Sequence, residues 1–128
     1  FLHESNICHK DIKPQNVMIS KENKLKLIDF NISKVIKRAD GNVKFNQVFL
    51  TQISTPMYAA PEVYQGIGYN ESVDIWGIGM IAYLLLGGSI DERLKISKCN
   101  GDVYNERRSF VSEDPTLPDS LKDFVLKC

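Results

Sequence analysis

Two short polar clusters carry most of the chemistry this chain could perform. His9, Asp11, Lys13 and Asn16 stand at the spacing His-x-Asp-x-Lys-x-x-Asn, in a polar stretch whose Pro14 favours a loop. Asp29, Phe30 and Asn31 form the second cluster. Asp11 and Asp29 are 18 positions apart, and the residues between them read as a hairpin. Val17-Met18-Ile19 is a short apolar strand, Lys21-Glu22-Asn23 a turn, and Lys24 to Ile28 alternates as a half-buried strand does. A hairpin brings its two ends together, so Asp11, Asn16 and Asp29 converge on one small volume. Hard oxygen ligands, a lysine and a base in one place suit a phosphate–Mg²⁺ site, because magnesium is typically held by one or two carboxylates plus substrate phosphates. Taken singly, His9 is a structural histidine and Asp11 a turn residue; the constellation carries the reading.

The elements that must position these residues are partly visible. Residues 1–8 read as a helix end running into a turn. The strongest helix runs from about Val73 to Leu86, with Ser72 as its expected N-cap, Asp74 in the first turn and Gly87-Gly88 as its stop. It is apolar nearly all round, so burial on most sides is expected, with Trp76, Tyr83 and the Leu84–Leu86 run in the core. Residues 31–56 show no clear period and read as a long loop. Residues 90–98 read as a short helix and 99–118 as loop. A last amphipathic helix, capped by Asp119 or Ser120, places Leu121, Phe124, Val125 and Cys128 on one face.

Composition narrows the function classes. The 128 residues are 43% hydrophobic and 25% charged, with 16 basic against 16 acidic side chains. That balance excludes a disordered charged tail and gives no reason to expect nucleic acid. The first 38 residues hold eight Lys/Arg against four Asp/Glu, a basic excess that favours an anionic ligand. Cys8, Cys99 and Cys128 are odd in number and widely spaced, which fits neither a disulfide framework nor a zinc site; a reducing intracellular, cytoplasmic setting is the expectation. The longest apolar run, Ile75 to Leu86, is too short for a membrane span of about 20 residues. No secretory signal and no Met open the chain, and Phe1-Leu2-His3 reads as a helix interior, so a start within a longer protein is expected.

Four motifs, in order, resemble the protein kinase family. His9-Lys10-Asp11-Ile12-Lys13-Pro14-Gln15-Asn16 looks like its catalytic loop, and Asp29-Phe30-Asn31 like its DFG motif. Ser54-Thr55-Pro56-Met57-Tyr58-Ala59-Ala60-Pro61-Glu62 resembles the GTPxYxAPE segment, and Asp74-Ile75-Trp76-Gly77-Ile78-Gly79 the DxWxxG start of the large central helix. The resemblance implies a mainly α fold, the C-terminal lobe of the kinase α+β fold with a small β-hairpin at the active site. It implies that residues 1–128 are a truncated, partial kinase domain without its N-lobe. It further implies ATP- and Mg²⁺-dependent phosphorylation of protein Ser/Thr hydroxyls by the parent, with negligible activity in the piece alone. Asp11 would be the base for the substrate hydroxyl and Lys13 would neutralise charge on the transferred group. Asn16 and Asp29 would hold Mg²⁺. Lysine two positions after the aspartate is the serine/threonine pattern. Thr51 would be a phosphosite for an upstream activating kinase, with Lys10 as its cationic partner; Thr55 would contact Asp11 and Lys13. Asp74 would anchor the catalytic loop to the central helix, and His9 would brace that loop.

The sequence also departs from the family. Lys10 stands for the usual Arg and loses its bidentate fork. Asn31 and Ser54 replace glycines, and Asn is among the better non-glycine residues at positive φ. Glu62 is expected to lack its usual arginine partner, which the family places later. These departures motivate an alternative, a pseudokinase or binding module. A small-molecule phosphotransferase is a third reading, opposed by the Thr55–Glu62 and Asp74–Gly79 segments.

Overall fold

The computed structural model of the protein describes residues 1–35, 56–64, 69–89 and 102–128. Thr51, Ser54, Thr55, Cys99 and the short helix expected at 90–98 lie outside them.

The hairpin forms as the alternation predicts. β2 (Val17–Ile19) pairs antiparallel with β3 (Leu25–Leu27), with Val17 opposite Leu27, Met18 opposite Lys26 and Ile19 opposite Leu25. Asn23 takes the turn with φ 56°, a left-handed value that Asn tolerates. A second antiparallel pair corrects the sequence reading at both its ends. β1 (Ile7–Cys8) follows a series of turns rather than a helix end, and it pairs with β4 (Lys34–Val35), inside the stretch read as loop. Two-residue strands leave no period to detect, and their pairing is a non-local event. A short 3₁₀ turn at Pro14–Asn16 ends the polar loop, with Pro where a missing N–H costs nothing.

Among the described residues four α-helices follow: α1 (Pro61–Tyr64), α2 (Ser72–Leu85), α3 (Asp102–Glu113) and α4 (Asp119–Lys127). The start of α2 differs from expectation. The Asn70 side-chain oxygen accepts the Ser72 N–H at 2.8 Å, so Asn70 and not Ser72 satisfies an orphan donor there. Its end is a Schellman arrangement: Gly88 N–H reaches Tyr83 O and Gly87 N–H reaches Leu84 O, both at 3.0 Å, with Gly87 at φ 93°.

α2 and α3 both pack on α4. Met80 and Tyr83 of α2, Val111 of α3 and Val125 of α4 form one buried cluster. A second cluster joins Cys8, Ala60, Tyr69 and Val73, and Trp76 touches both. Full burial of such a side chain stabilises the fold by roughly 1.5–3 kcal/mol. α2 is less enclosed than its composition suggests: Ile75, Ile78 and Leu85 are exposed, Leu85 by 82%. α3 occupies part of the stretch read as loop. At its buried centre stands Arg107, 1% exposed, with its guanidinium 4.5 Å from the Trp76 ring centroid. A charged residue where a leucine would mark the inner face breaks the apolar period. In α4 the inner face is Leu121, Val125 and Cys128, whereas Phe124 is 46% exposed. Among the described residues no helix is long and apolar enough to cross a membrane.

Candidate active site

The polar loop is held from both sides by groups that are themselves buried. Asp74, in the first turn of α2 and 1% exposed, accepts the His9 N–H at Oδ2 and the Lys10 N–H at Oδ1, each at 2.8 Å. Its carboxylate thus clamps two successive peptide groups immediately before Asp11. Lys10 is held at φ 70°, a left-handed value that costs a non-glycine residue about 1–2 kcal/mol. The Asp74 hydrogen bonds help to offset that cost, because bonds to a charged acceptor are about twice as strong as neutral ones.

His9 is fully buried, and every polar group it carries is engaged. Its carbonyl accepts the Ser33 hydroxyl at 3.1 Å. Its Nε2 lies 3.0 Å from the Ile28 carbonyl, which can only accept, so Nε2 carries the hydrogen. Its Nδ1 accepts the Asp11 N–H at 3.3 Å. The ring also packs edge-on against Phe30, centroids 4.7 Å apart. One imidazole therefore ties the Asp11 backbone to the end of the hairpin.

Asp11, Lys13 and Asn16 meet as the spacing suggests. Lys13 Nζ is 2.8 Å from Asp11 Oδ2, and Asn16 Nδ2 donates to the same oxygen at 3.0 Å and to the Asp11 carbonyl at 2.8 Å. Two donors on Oδ2 fix the carboxylate rotamer. Asn16 is buried, and its carbonyl accepts the Ile28 N–H at 3.0 Å, closing the hairpin onto the loop. Ile28 thus hydrogen-bonds on one side to Asn16 and on the other to His9, and it delivers Asp29 to the rim of the same site. Asp29 is exposed and sits at φ 64°, with its Oδ1 3.4 Å from the Asn31 N–H. The left-handed residue of this turn is therefore Asp29. Asn31 is not left-handed, so its replacement of glycine carries no such strain here.

The donor set suits a hard cation bound together with phosphate. Asn16 directs its amide nitrogen to Asp11, which leaves Oδ1 as the atom of that side chain with cation-binding chemistry, and the Asp29 carboxylate is solvent-accessible. Among the described residues no group of three His, Cys, Asp or Glu side chains forms a cage that would hold a metal alone.

Lys10 lies 5.8 Å from the Tyr69 ring centroid, and burial, followed by the nearby Lys34 charge, holds its ammonium below the usual range. Glu62 accepts the Ser72 hydroxyl at 3.4 Å. One further residue escaped sequence reasoning. His3 Nε2 lies 2.8 Å from Asp74 Oδ2. The two are 71 positions apart, and no local spacing signals the pair.

Comparison with known proteins agrees with this geometry. A protein kinase domain model matches residues 1–128. Myosin light chain kinase A of Dictyostelium discoideum is 44% identical over 91 residues, covering 69% of this chain and 28% of that protein. The SNF1-related protein kinase catalytic subunit alpha KIN12 of Arabidopsis thaliana is 41% identical over 131 residues, covering 98% and 23%. Calcium/calmodulin-dependent protein kinase type IV of Homo sapiens is 38% identical over 115 residues, covering 84% and 21%. The chain thus spans less than a third of the length of these relatives.

Proposed function

The chain belongs to the protein kinase family, and on that premise we propose that it is the C-terminal-lobe part of a serine/threonine kinase that transfers phosphate from Mg·ATP to protein hydroxyls. The observation that carries this reading is the convergence of Lys13 and Asn16 on one oxygen of Asp11, in a loop clamped by Asp74.

In this proposal Asp11 accepts the proton of the substrate hydroxyl as it attacks. The fixed rotamer aims the carboxylate, and positioning of this kind supplies much of the rate in phosphoryl transfer. Lys13, reaching Asp11 from two residues along, places a positive charge where negative charge develops on the transferred group. Asn16 and Asp29 would hold Mg²⁺, which when bound neutralises phosphate charge. His9 positions the loop and, with both ring nitrogens engaged, carries no proton to substrate.

Regulation follows the same chemistry. Lys10 and Lys34 are close enough for their charges to oppose one another, and we propose that a phosphate placed on Thr51 by an upstream kinase would take Lys10 as its cationic partner. Thr55 is proposed, from the family resemblance alone, to serve Asp11 and Lys13.

The test is phosphorylation of a Ser/Thr peptide library by the complete reading frame that carries this chain. Turnover that needs Mg·ATP and is lost in Asp11→Asn and Asp29→Asn supports the reading. Nucleotide binding without turnover would support the pseudokinase alternative. Transfer to a small alcohol but to no peptide would replace the protein substrate.

A further inference from the structure

Ser33 finishes a ladder that the backbone alone leaves open. β1 and β4 pair antiparallel, with Ile7 opposite Val35 and Cys8 opposite Lys34, so the next step of that register sets His9 opposite Ser33. There the backbone pairing stops. The Ser33 N–H turns back to the Phe30 carbonyl at 3.1 Å, closing the turn that follows Asp29. The Ser33 hydroxyl takes over and donates to the His9 carbonyl at 3.1 Å. His9 is fully buried, and a buried carbonyl left without a donor is costly. The bond also lands on a particular peptide. The His9 carbonyl and the Lys10 N–H belong to one planar unit, in which the two groups point opposite ways. Its N–H donates to Asp74 Oδ1 at 2.8 Å, on α2, while its carbonyl accepts Ser33, from the chain that follows Asp29.

We infer that Ser33 is a positioning residue for the reaction: its hydroxyl holds the second edge of the His9–Lys10 peptide, and so fixes the backbone from which Asp11 projects. The inference rests on the kinase reading above. The physical case is one of rotation. Lys10 sits at φ 70°, a left-handed value that a lysine leaves when released. Turning the preceding peptide plane is what changes that angle. Asp74 grips the plane by one edge only, and an N–H can pivot on its acceptor. A bond to the opposite edge, arriving from a different element, removes the pivot. Without it the plane rocks toward ordinary φ, and the error passes to Asp11, the next residue in the chain.

The experiment uses the complete reading frame and compares wild type with Ser33→Ala, Ser33→Thr and the core control Val125→Ala. Ala removes only the hydroxyl, whereas Thr keeps it and suits an extended backbone. Val125 is fully buried in the cluster between α2, α3 and α4. For Ser33→Ala the expected result is a fall in kcat of about fivefold per mole of folded enzyme, the worth of one hydrogen bond, with KM for ATP and the Mg²⁺ requirement changed less than about twofold. Ser33→Thr should recover most of kcat. Val125→Ala should lower the melting temperature with kcat intact, which separates positioning from stability. Amide hydrogen exchange at the Lys10 N–H is a second readout that needs no turnover: it should run about fivefold faster in Ser33→Ala and stay near wild type in Ser33→Thr. The positioning role is wrong if Ser33→Ala keeps wild-type kcat and exchange, or if Thr falls as far as Ala. It is also wrong if the loss appears in KM for ATP or in the Mg²⁺ requirement with kcat intact, since Ser33 would then serve the Asp29 turn. If wild type itself shows no turnover the kinase reading fails, and the Lys10 exchange alone decides whether Ser33 holds the peptide.

Discussion

Gly77 packs the central helix closely against Ile12 in the loop that carries Asp11, and adding one methyl group there tests how tightly the two are coupled. A Cβ at Gly77 would lie 2.9 Å from both the Cβ and the carbonyl oxygen of Ile12. Comfortable carbon contacts are about 3.5–4.0 Å, so the loop would have to retreat by roughly 0.5–1 Å. Neither Ile12 atom can rotate away, since one is backbone and the other is attached to it. The loop is also not free to follow, because Asp74, one turn earlier on the same helix, holds His9 and Lys10 at 2.8 Å. Retreat therefore stretches those bonds. Against this, Ala in place of Gly gains about 1 kcal/mol of helix propensity, while overpacking costs about 1–3 kcal/mol. The contact should win: Gly77→Ala is expected to lose about 1 kcal/mol in urea unfolding. Because Ile12 follows Asp11, kcat should fall tenfold or more. Gly87→Ala is the comparison. Gly87 has φ 93° and open space around it, so Ala there should cost about 1 kcal/mol of backbone strain and leave kcat unchanged. If Gly77→Ala is as stable and as active as wild type, the helix and loop are not coupled by close approach.

Other perturbations have defined outcomes. Asp74→Ala removes the acceptor of both loop peptides and should destabilise the fold by about 3 kcal/mol in urea titration, since buried donors are left unsatisfied; a loss under 1 kcal/mol would contradict the clamp. Cys8, buried and held protonated, should resist a thiol reagent at pH 8 in the native protein and react on unfolding; rapid native modification would contradict its burial. The Thr116 hydroxyl, and then its N–H, hold the exposed Asp114 carboxyl below its usual range. Its folded pKa lies below the unfolded one, so that contribution is present above the unfolded value and lost as pH falls through the folded one. Thr116→Ala should raise the Asp114 midpoint in an NMR titration; an unchanged midpoint would assign the shift elsewhere.

The sequence spoke most clearly where local chemistry and local period coincide. The polar run from His9 to Asn16 and the alternation from Lys24 to Ile28 need only neighbours in the chain to be read, and the hairpin and loop lie where they indicate. It was silent on α3, because Arg107 occupies the inner position that an apolar residue would mark, and its stacking on Trp76 is a tertiary fact. It was equally silent on β1 with β4 and on His3 with Asp74, pairs made by residues far apart in sequence. For α2 it gave the element but not its environment, since the exposure of Ile75, Ile78 and Leu85 depends on what packs beside them. The tolerance of Asn31 was readable only from backbone angles, which place the left-handed turn at Asp29.

The central claim is that Asp11, aimed by Lys13 and Asn16, serves phosphoryl transfer to a protein hydroxyl. The most direct measurement is single-turnover transfer of labelled γ-phosphate from Mg·ATP to a serine or threonine peptide by the complete reading frame, with and without Asp11→Asn. The account predicts transfer by wild type and a loss of at least about a hundredfold in the variant, with nucleotide affinity retained. Equal rates in the two proteins, or nucleotide binding by wild type with no transfer, would contradict it.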